Sequence, residues 1–325
     1  ENACHWATEC ICSGYTVSLW DKLLLYASKV IHINNPQLPS YLLRKNEVFY
    51  NQVRRIQPSK KDNLLLLRNS QMIRNLIFDV ITTLTMSLKT KRYDKLIKIN
   101  EKEDFLFPTI QKKLLSQMKV LPDGIIQFHD PDELRTICNE IFTMLKNKQF
   151  GYEKACYWVL WLKTWEALHK KKKKPWNLSV RKISGINPKY GADLLWVIWC
   201  LILEEARQQN NKRISEQISS IYSLYKFNYS SGKQTSRLPY VFHAIGYLTH
   251  TINFKTPIRP EYHTYIQVQC NVNKMFMLKK SNEISTPEIV FDTGKKKKKE
   301  PIIDFDPIKD KIDIFNELDT SSSLQ

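Results

Sequence analysis

Apolar residues recur at helical spacing along most of this sequence. Between residues 69 and 89 they occupy one face, at every fourth position: Met72, Leu76, Val80, Leu84 and Leu88. A period near 3.6 residues predicts an amphipathic helix there. Similar spacing predicts helices over residues 3–13, 16–33, 105–119, 212–227 and 237–251, with a turn at Ser13-Gly14 between the first two.

Two tryptophan pairs mark the middle of the chain. The motif Trp-Val-Leu-Trp at 158–161 returns as Trp-Val-Ile-Trp at 196–199. Tryptophans three positions apart share one face of a helix, so the sequence predicts helices over 152–169 and 189–209. We expect the two aromatic faces to bury each other and form a core. A run of five lysines, Lys170 to Lys174, lies between them.

Two segments allow a different local prediction. Residues 262–272 alternate in polarity and are rich in β-forming residues, which predicts one short strand. Asp130, Pro131 and Glu133 suit the N-cap, N1 and N3 positions of a helix that runs toward Leu145. The alternative for this acidic group, which includes Asp132, is a metal site. The cap is the better explanation because carboxylates stabilise the positive end of a helix dipole.

The predicted architecture is therefore all-α, a multi-helix bundle in two subdomains. We expect an N-terminal helical subdomain at 1–120, a Trp-rich helical subdomain at 121–280 and a disordered acidic tail at 281–325. Only 8 of the 325 residues are glycine, which disfavours a large β protein or a glycine-rich nucleotide-binding fold. The first residues, Glu1-Asn2-Ala3, lack a methionine, so we expect that a segment precedes them.

The charge balance points to an anionic partner. The formal net charge is +18, and residues 301–325 carry six acidic residues against two lysines, so the rest of the chain is more basic still. Nucleic acid, anionic lipid or an acidic protein would complement such a surface. The alternative is that the lysines serve solubility and reflect the codon bias of an AT-rich genome. The longest uncharged apolar run, 194–203, is too short to cross a membrane.

Motifs that carry chemistry are missing from the sequence. It contains no phosphate-binding loop, no His-Glu-x-x-His and no Gly-x-Ser-x-Gly. The side chains of Cys4, His5, Cys10 and Cys12 are of the types that bind zinc, but Cys10 and Cys12 would point away from each other on a helix. We expect no metal, no cofactor and no enzymatic activity. An enzyme with a dispersed active site remains an alternative, ranked after the two non-enzymatic functions described below. Seven cysteines without a regular framework indicate a reducing compartment, with one disulfide left open.

The lysine run and the residues after it form the predicted binding site. Lysines neutralise phosphates without reading sequence, and an aromatic side chain beside them can stack on a base. The predicted nucleic-acid-binding residues are Lys170, Lys171, Lys172, Lys173, Lys174, Trp176, Arg181 and Lys182. Binding to DNA or RNA would be non-specific and strongly dependent on salt. If the basic residues are dispersed instead, they are an ordinary solvated surface.

Two stretches resemble a known group of proteins. Cys4-His5-Trp6-Ala7-Thr8-Glu9, with the following residues to Asn35-Pro36-Gln37-Leu38-Pro39, is similar to uncharacterised helical proteins of nucleocytoplasmic large DNA viruses. Phe150-Gly151-Tyr152 through Trp165-Glu166, followed by Trp196 to Trp199, resembles a second signature of that group. The first stretch is also weakly similar to the collar domain of clamp-loader-like AAA+ proteins, whose ATPase motifs are absent here.

The resemblance implies a viral protein but carries no established activity. The first functional hypothesis is a non-enzymatic scaffold or binding module that contacts nucleic acid in genome replication, expression or packaging. The second is a virion-structural protein, a minor capsid or core component, that uses the same lysines against acidic viral proteins. Either would place it in the host cytoplasm, the viral factory or the virion. The sequence does not set the oligomeric state.

Overall fold

The chain folds into α-helices, as its apolar spacing predicts. The computed structural model describes residues 2–56, 63–90, 97–173 and 177–279, and within these ranges it contains no strand. The helices are α1 (Asn2–Cys12), α2 (Thr16–Tyr26), α3 (Leu38–Ile56), α4 (Asn63–Asn69), α5 (Gln71–Met86), α6 (Phe107–Lys113), α7 (Asp132–Leu145), α8 (Gly151–Lys171), α9 (Leu194–Gln209), α10 (Lys212–Lys226), α11 (Leu238–Thr249) and α12 (Tyr262–Lys279).

The predicted second helix, 16–33, is divided into three pieces. Helix α2 ends at Tyr26 and continues as a π-helix over Ala27–Ile31 and a 3-10 turn over His32–Asn34. The turn predicted before it is present: Gly14 has a φ of +81°, a conformation that glycine adopts without steric cost. A π-helix inside a helical run often marks a functional or constrained place.

The chain forms two compact units, and each is built from segments that are separated in the sequence. The first contains Glu1–Leu24, Tyr41–Leu88 and Ile258–Gln325, and the second contains Leu25–Ser40 and Lys89–Pro257. Neither unit begins or ends at the predicted boundary near residue 120. Segment 25–40 is inserted into the sequence of the first unit, so the two units do not follow each other along the chain. The predicted tail, 281–325, lies outside the described residues.

In the first unit, α5 is the buried centre. Most of its side chains are inaccessible, and its N-cap Ser70 accepts a hydrogen bond from the Ile73 N–H as a good cap residue does. The ring of Phe276 on α12 packs 5.7 Å from that of Phe78 and 4.4 Å from the guanidinium of Arg74. Helix α12 is therefore an integral part of this core.

The strand predicted at 262–272 is wrong, because these residues form the first part of α12. Their alternation coexists with a second spacing, in which Tyr265, Val272 and Phe276 fall on one helical face. Val272 and Phe276 are buried against α5, whereas the other side of the helix faces solvent. Packing on α5 therefore decides between the two periodicities, and the described residues offer no partner strand.

In the second unit, α11 is the central helix. Every one of its residues is buried, and it packs against α7, α8, α9, α10 and the π-helix. Its composition is apolar on all sides, which is the pattern of a helix enclosed by others. Helices α7 and α8 pack against each other and are joined by a short connection at 146–150. Contact with α7 thus helps to position α8 and, with it, the lysines at the C-terminal end of α8.

All four tryptophans of the repeated motif are buried, as expected of core residues. Their ring contacts fall into two clusters. Trp161 packs on Phe105 and Trp165, with centroid distances of 4.8 and 5.3 Å. Trp196 and Trp199 pack on Tyr222 and Tyr225 of α10. Each pair thus contributes to its own aromatic cluster, whereas the sequence predicts that the two aromatic faces bury each other.

The helix predicted over 105–119 is shorter than expected. It is α6, which ends at Lys113, and the next residues run along α7. The Glu140 carboxylate accepts the backbone N–H groups of Leu115 and Ser116, at 3.0 and 2.8 Å. The Asn139 amide oxygen accepts those of residues 120 and 121. These side chains satisfy the backbone in place of a continued helix.

The predicted cap at Asp130 is also wrong. Helix α7 begins at Asp132 with Pro131 at the N-cap position, and no side chain caps it. The Asp130 carboxylate instead accepts hydrogen bonds from the backbone of Gln127 and Ser179 and from Arg181. An ion pair with a residue far along the chain has displaced a local cap that the sequence pattern favoured.

Candidate nucleic-acid interface

The lysine run lies at the C-terminus of α8. Lys170 and Lys171 form the last helical positions, and the Lys172 and Lys173 N–H groups donate to the carbonyls of Leu168 and Lys170. All four lysine side chains are exposed. Cations are favourable here because the C-terminus is the negative end of the helix dipole. We call Lys170, Lys171, Lys172 and Lys173 the basic end of α8. Lys174 and Trp176 lie outside the described residues.

An aromatic row leads along α8 to its basic end. Trp161, Trp165 and His169 follow at i, i+4 and i+8, so they share one face. The rings of Trp161 and Trp165 are stacked, 5.3 Å apart and 12° from parallel, and the ring of His169 is 4.7 Å from that of Trp165. Phe105 covers the same row at 5.4 Å from Trp165. Consequently, the lysines project from a packed, rigid support.

A buried carboxylate fixes the first lysine of the basic end. Glu166 is almost inaccessible, and its two oxygens lie 3.2 Å from the Lys170 ammonium and 2.6 Å from that of Lys163. Lys163 also donates to the side-chain oxygen of Gln234. The Lys170 side chain is still 71% exposed. The ion pair with Glu166 therefore orients the Lys170 ammonium group, while most of the Lys170 side chain remains in contact with solvent.

Arg181 does not lie on this surface. It is 5% exposed, and its guanidinium is 2.5 Å from a carboxylate oxygen of Asp130. Burial alone would raise the pKa of the Asp130 carboxyl, but hydrogen bonds from Arg181 and from two backbone N–H groups outweigh it and lower that pKa. We therefore assign Arg181 to the interior, as a correction to the predicted contact set. Its neighbour Lys182 is exposed.

Further cations lie at α6, next to the aromatic row. The Lys113 ammonium donates to the Asp104 carboxylate at 2.5 Å and to the Tyr157 hydroxyl at 2.9 Å. It also lies 4.4 Å from the centre of the Tyr157 ring. Lys112 is exposed on the same helix, and the exposed ring of Phe107 begins it. Phe105 directly precedes this part of the chain and packs on Trp161 and Trp165, so α6 begins close to the aromatic row.

The described residues give no sign of a metal centre. No group of three or more His, Cys, Asp or Glu side chains there is arranged to hold an ion, and no disulfide joins any of the seven cysteines, all of which lie in the described ranges. Cys4 is buried, while Cys10 and Cys12 are partly exposed. No helix in the described ranges is long and apolar enough to span a membrane.

Fold and surface together define a helical protein with a cationic helix end supported by aromatic side chains. Comparison with models of known protein families, with curated proteins and with solved structures finds no match for this chain.

Sequence reasoning missed the aromatic row although its signal was present. The i, i+4 spacing of Trp161, Trp165 and His169 directly before the lysines predicts one continuous face. The role of Glu166 was less accessible, because many acidic residues four positions from a lysine are exposed. Only the packing of α8 shows that this carboxylate is buried.

Proposed function

We propose that this protein is a non-enzymatic binding module that contacts DNA or RNA through the basic end of α8. The observation that carries the proposal is four consecutive exposed lysines at the end of a helix whose last turns carry the packed aromatic row. Because the aromatic row beneath them is already packed, binding to successive phosphates would immobilise little more than the lysine side chains themselves.

The chemistry of the exposed groups indicates non-specific binding. Lysine ammonium groups act as point charges, whereas arginine forks are the usual bidentate readers of bases. The arginine predicted for this site, Arg181, is buried in an ion pair. Lys182 and Lys112 are further exposed cations of the second unit. We infer phosphate contacts that are indifferent to sequence and strongly weakened by salt.

The proposal extends to a viral setting through the resemblance of the two sequence signatures. In that setting the module would act in genome replication, expression or packaging, in the host cytoplasm, the viral factory or the virion. The competing function is a virion-structural protein whose lysines meet acidic proteins. The Lys170–Glu166 pair favours keeping this alternative, since it shows a lysine of the basic end bound to a carboxylate. Presence at fixed stoichiometry in purified particles, without nucleic-acid binding, would support it.

Changing the basic end to alanine should flatten the salt dependence of nucleic-acid binding. We expect the K170A/K171A/K172A/K173A variant to lose about 0.9 in the slope of log K against log salt for each phosphate contact removed. If all four lysines contact duplex DNA, the slope should therefore fall by about 3.6. The measurement is fluorescence anisotropy with random duplex DNA across a salt series.

The matched control removes four exposed lysines elsewhere, in K22A/K212A/K255A/K274A. Both variants lose the same charge, so a difference between them isolates the position of the lysines from their number. We expect the control to keep most of the slope. Equal slopes in the two variants would contradict a localised interface, and an unchanged slope in the first would exclude the basic end as a contact.

A further inference from the structure

A buried histidine pair ties the segment 25–40 to the rest of the second unit. Ser28 of the π-helix shares a hydrogen bond of 2.9 Å with Nδ1 of His243 on α11. His32 directly follows the π-helix, and its Nε2 lies 3.2 Å from the Phe242 carbonyl and 3.1 Å from the Tyr152 hydroxyl. The two imidazole rings are 4.8 Å apart. The pair therefore sits at the junction of three elements.

The backbone around His32 is constrained. Its φ of 56° with ψ of −139° lies in a region that residues other than glycine rarely adopt. On the facing helix, a Cβ added at Gly246 would come within 2.4 Å of the His32 ring. Only glycine at position 246 lets the imidazole approach α11 this closely. Such a costly conformation persists because the surrounding contacts hold it.

The pair is packed to be neutral. His32 and His243 are both almost fully buried. Because the Phe242 carbonyl can only accept a hydrogen bond, Nε2 of neutral His32 carries its proton. Burial lowers the pKa of His32 to about 3 and, together with the neighbouring His32 ring, lowers that of His243 well below its usual value. If either imidazole took up a proton in the closed state, its positive charge would lie beside the other ring with almost no contact with solvent.

Among the described residues, the titratable groups that face the pair include Tyr152 from α8, Tyr247 from α11 and His250 just beyond α11, and none of these three side chains carries a negative charge near neutral pH. At that end of α11 the Lys148 ammonium donates to the Leu248 carbonyl. The buried carboxylates of the helices packed against α11 are engaged elsewhere: Glu140 of α7 with two backbone N–H groups, Glu166 of α8 with Lys163 and Lys170, and Glu205 of α9 with Gln209 and Lys146.

We propose that residues 25–40 form an acid-released segment, which detaches from α11 and α8 when His32 and His243 take up protons. In the closed state both imidazoles are neutral and bound. In the open state they are in water, where they bind protons below about pH 6.5. The rest of the second unit, including α9 and α10, stays folded in this transition.

The direction follows from proton linkage. Each histidine binds protons more tightly in the open state, so the closed state keeps its full stability above pH 6.5 and loses it as the pH falls toward the pKa of the folded state. Between pH 7.4 and 5.0, one such histidine raises the opening equilibrium by about 30-fold. Two independent histidines would raise it by several hundred-fold, on the order of 800.

Hydrogen exchange followed by mass spectrometry on the full chain tests this proposal. After correction for the intrinsic pH dependence of exchange, peptides covering 25–40 should lose about 30-fold or more of their protection at pH 5.0 relative to pH 7.4. Peptides of α9 and α10 should keep theirs, and protection of 25–40 should return when the sample is restored to pH 7.4. Unchanged protection of 25–40, or a uniform loss across the chain, would overturn the proposal.

Two glutamine variants separate the histidine pair from other effects of acid. In H243Q the amide side chain can either donate or accept a hydrogen bond toward Ser28 but does not titrate, so the pH effect on 25–40 should shrink by about 30-fold. The control is H129Q, which removes an exposed histidine and should behave as the parent protein. If H243Q does not fold, the pH series of the parent protein still decides, because its two failing outcomes need no variant.

Discussion

Replacing Trp199 with alanine is expected to destabilise the second unit by about 3–5 kcal/mol. The side chain is 1% exposed and packs against the rings of Tyr222 and Tyr225 at 5.0 and 5.3 Å. Removing it deletes a large buried apolar surface and leaves a cavity that rigid aromatic neighbours cannot fill. Urea unfolding followed by far-ultraviolet circular dichroism measures the loss.

The control for this prediction is Trp6→Ala, because Trp6 is 67% exposed on α1. Its substitution should change the free energy of unfolding by less than about 0.5 kcal/mol. A loss below about 1 kcal/mol for Trp199→Ala would mean that the aromatic cluster of α9 and α10 does not stabilise the fold.

The second large effect is expected at the buried ion pair of Arg181 and Asp130. Replacing Arg181 with methionine leaves the Asp130 carboxylate buried without its cation, which should cost about 3–5 kcal/mol. Replacing both residues with apolar ones, Arg181→Met and Asp130→Leu, should cost less, since no uncompensated charge remains. The exposed neighbour Lys182→Met is the control and should be nearly neutral. Urea unfolding at pH 7 compares the three variants.

The pH dependence of the same pair has a definite sign. The pKa of Asp130 is lowered in the folded state, so the pair contributes its full stability above the ordinary range of an aspartate and loses it as the pH falls through the folded-state value. The Arg181→Met variant should therefore show a weaker loss of stability below about pH 4 than the parent protein. A double substitution that costs more than Arg181→Met alone would contradict this account.

Local patterns were sufficient where one periodicity was present. The face that includes Leu76, Val80 and Leu84 predicts α5, and the paired tryptophans predict buried positions on α8 and α9. These predictions were confirmed because the burial of a helical face depends mainly on the spacing of its apolar residues. The position of Gly14 in the first turn belongs to the same class of local signal.

Predictions failed where a distant residue decided the outcome. Residues 262–272 satisfy both an alternating and a helical spacing, and the surface of α5 selects the helix through Val272 and Phe276. Asp130 matches a helix cap, but Arg181 lies 51 residues away and captures its carboxylate. The sequence contains both partners without indicating that they meet.

The candidate site shows the same limit. Arg181 and Lys182 are adjacent cations that no local pattern distinguishes, yet the first is buried and the second is exposed. The exposure of the basic end of α8 is easier to predict from the sequence. Lysines are rarely buried without a partner, and four consecutive lysines at a helix terminus would need several buried carboxylates. The buried position of Glu166 depends on how α8 packs and had no local signal.

The measurement that tests the proposed function most directly is binding of the parent protein to random single- and double-stranded DNA and RNA at 50 and 200 mM salt. Fluorescence anisotropy should show micromolar or tighter binding at the lower salt, which falls by about 10³-fold at the higher if some six phosphates are contacted. Little preference for sequence is expected. Absence of binding at 50 mM salt would contradict the proposed function and would direct attention to acidic protein partners of the same lysines.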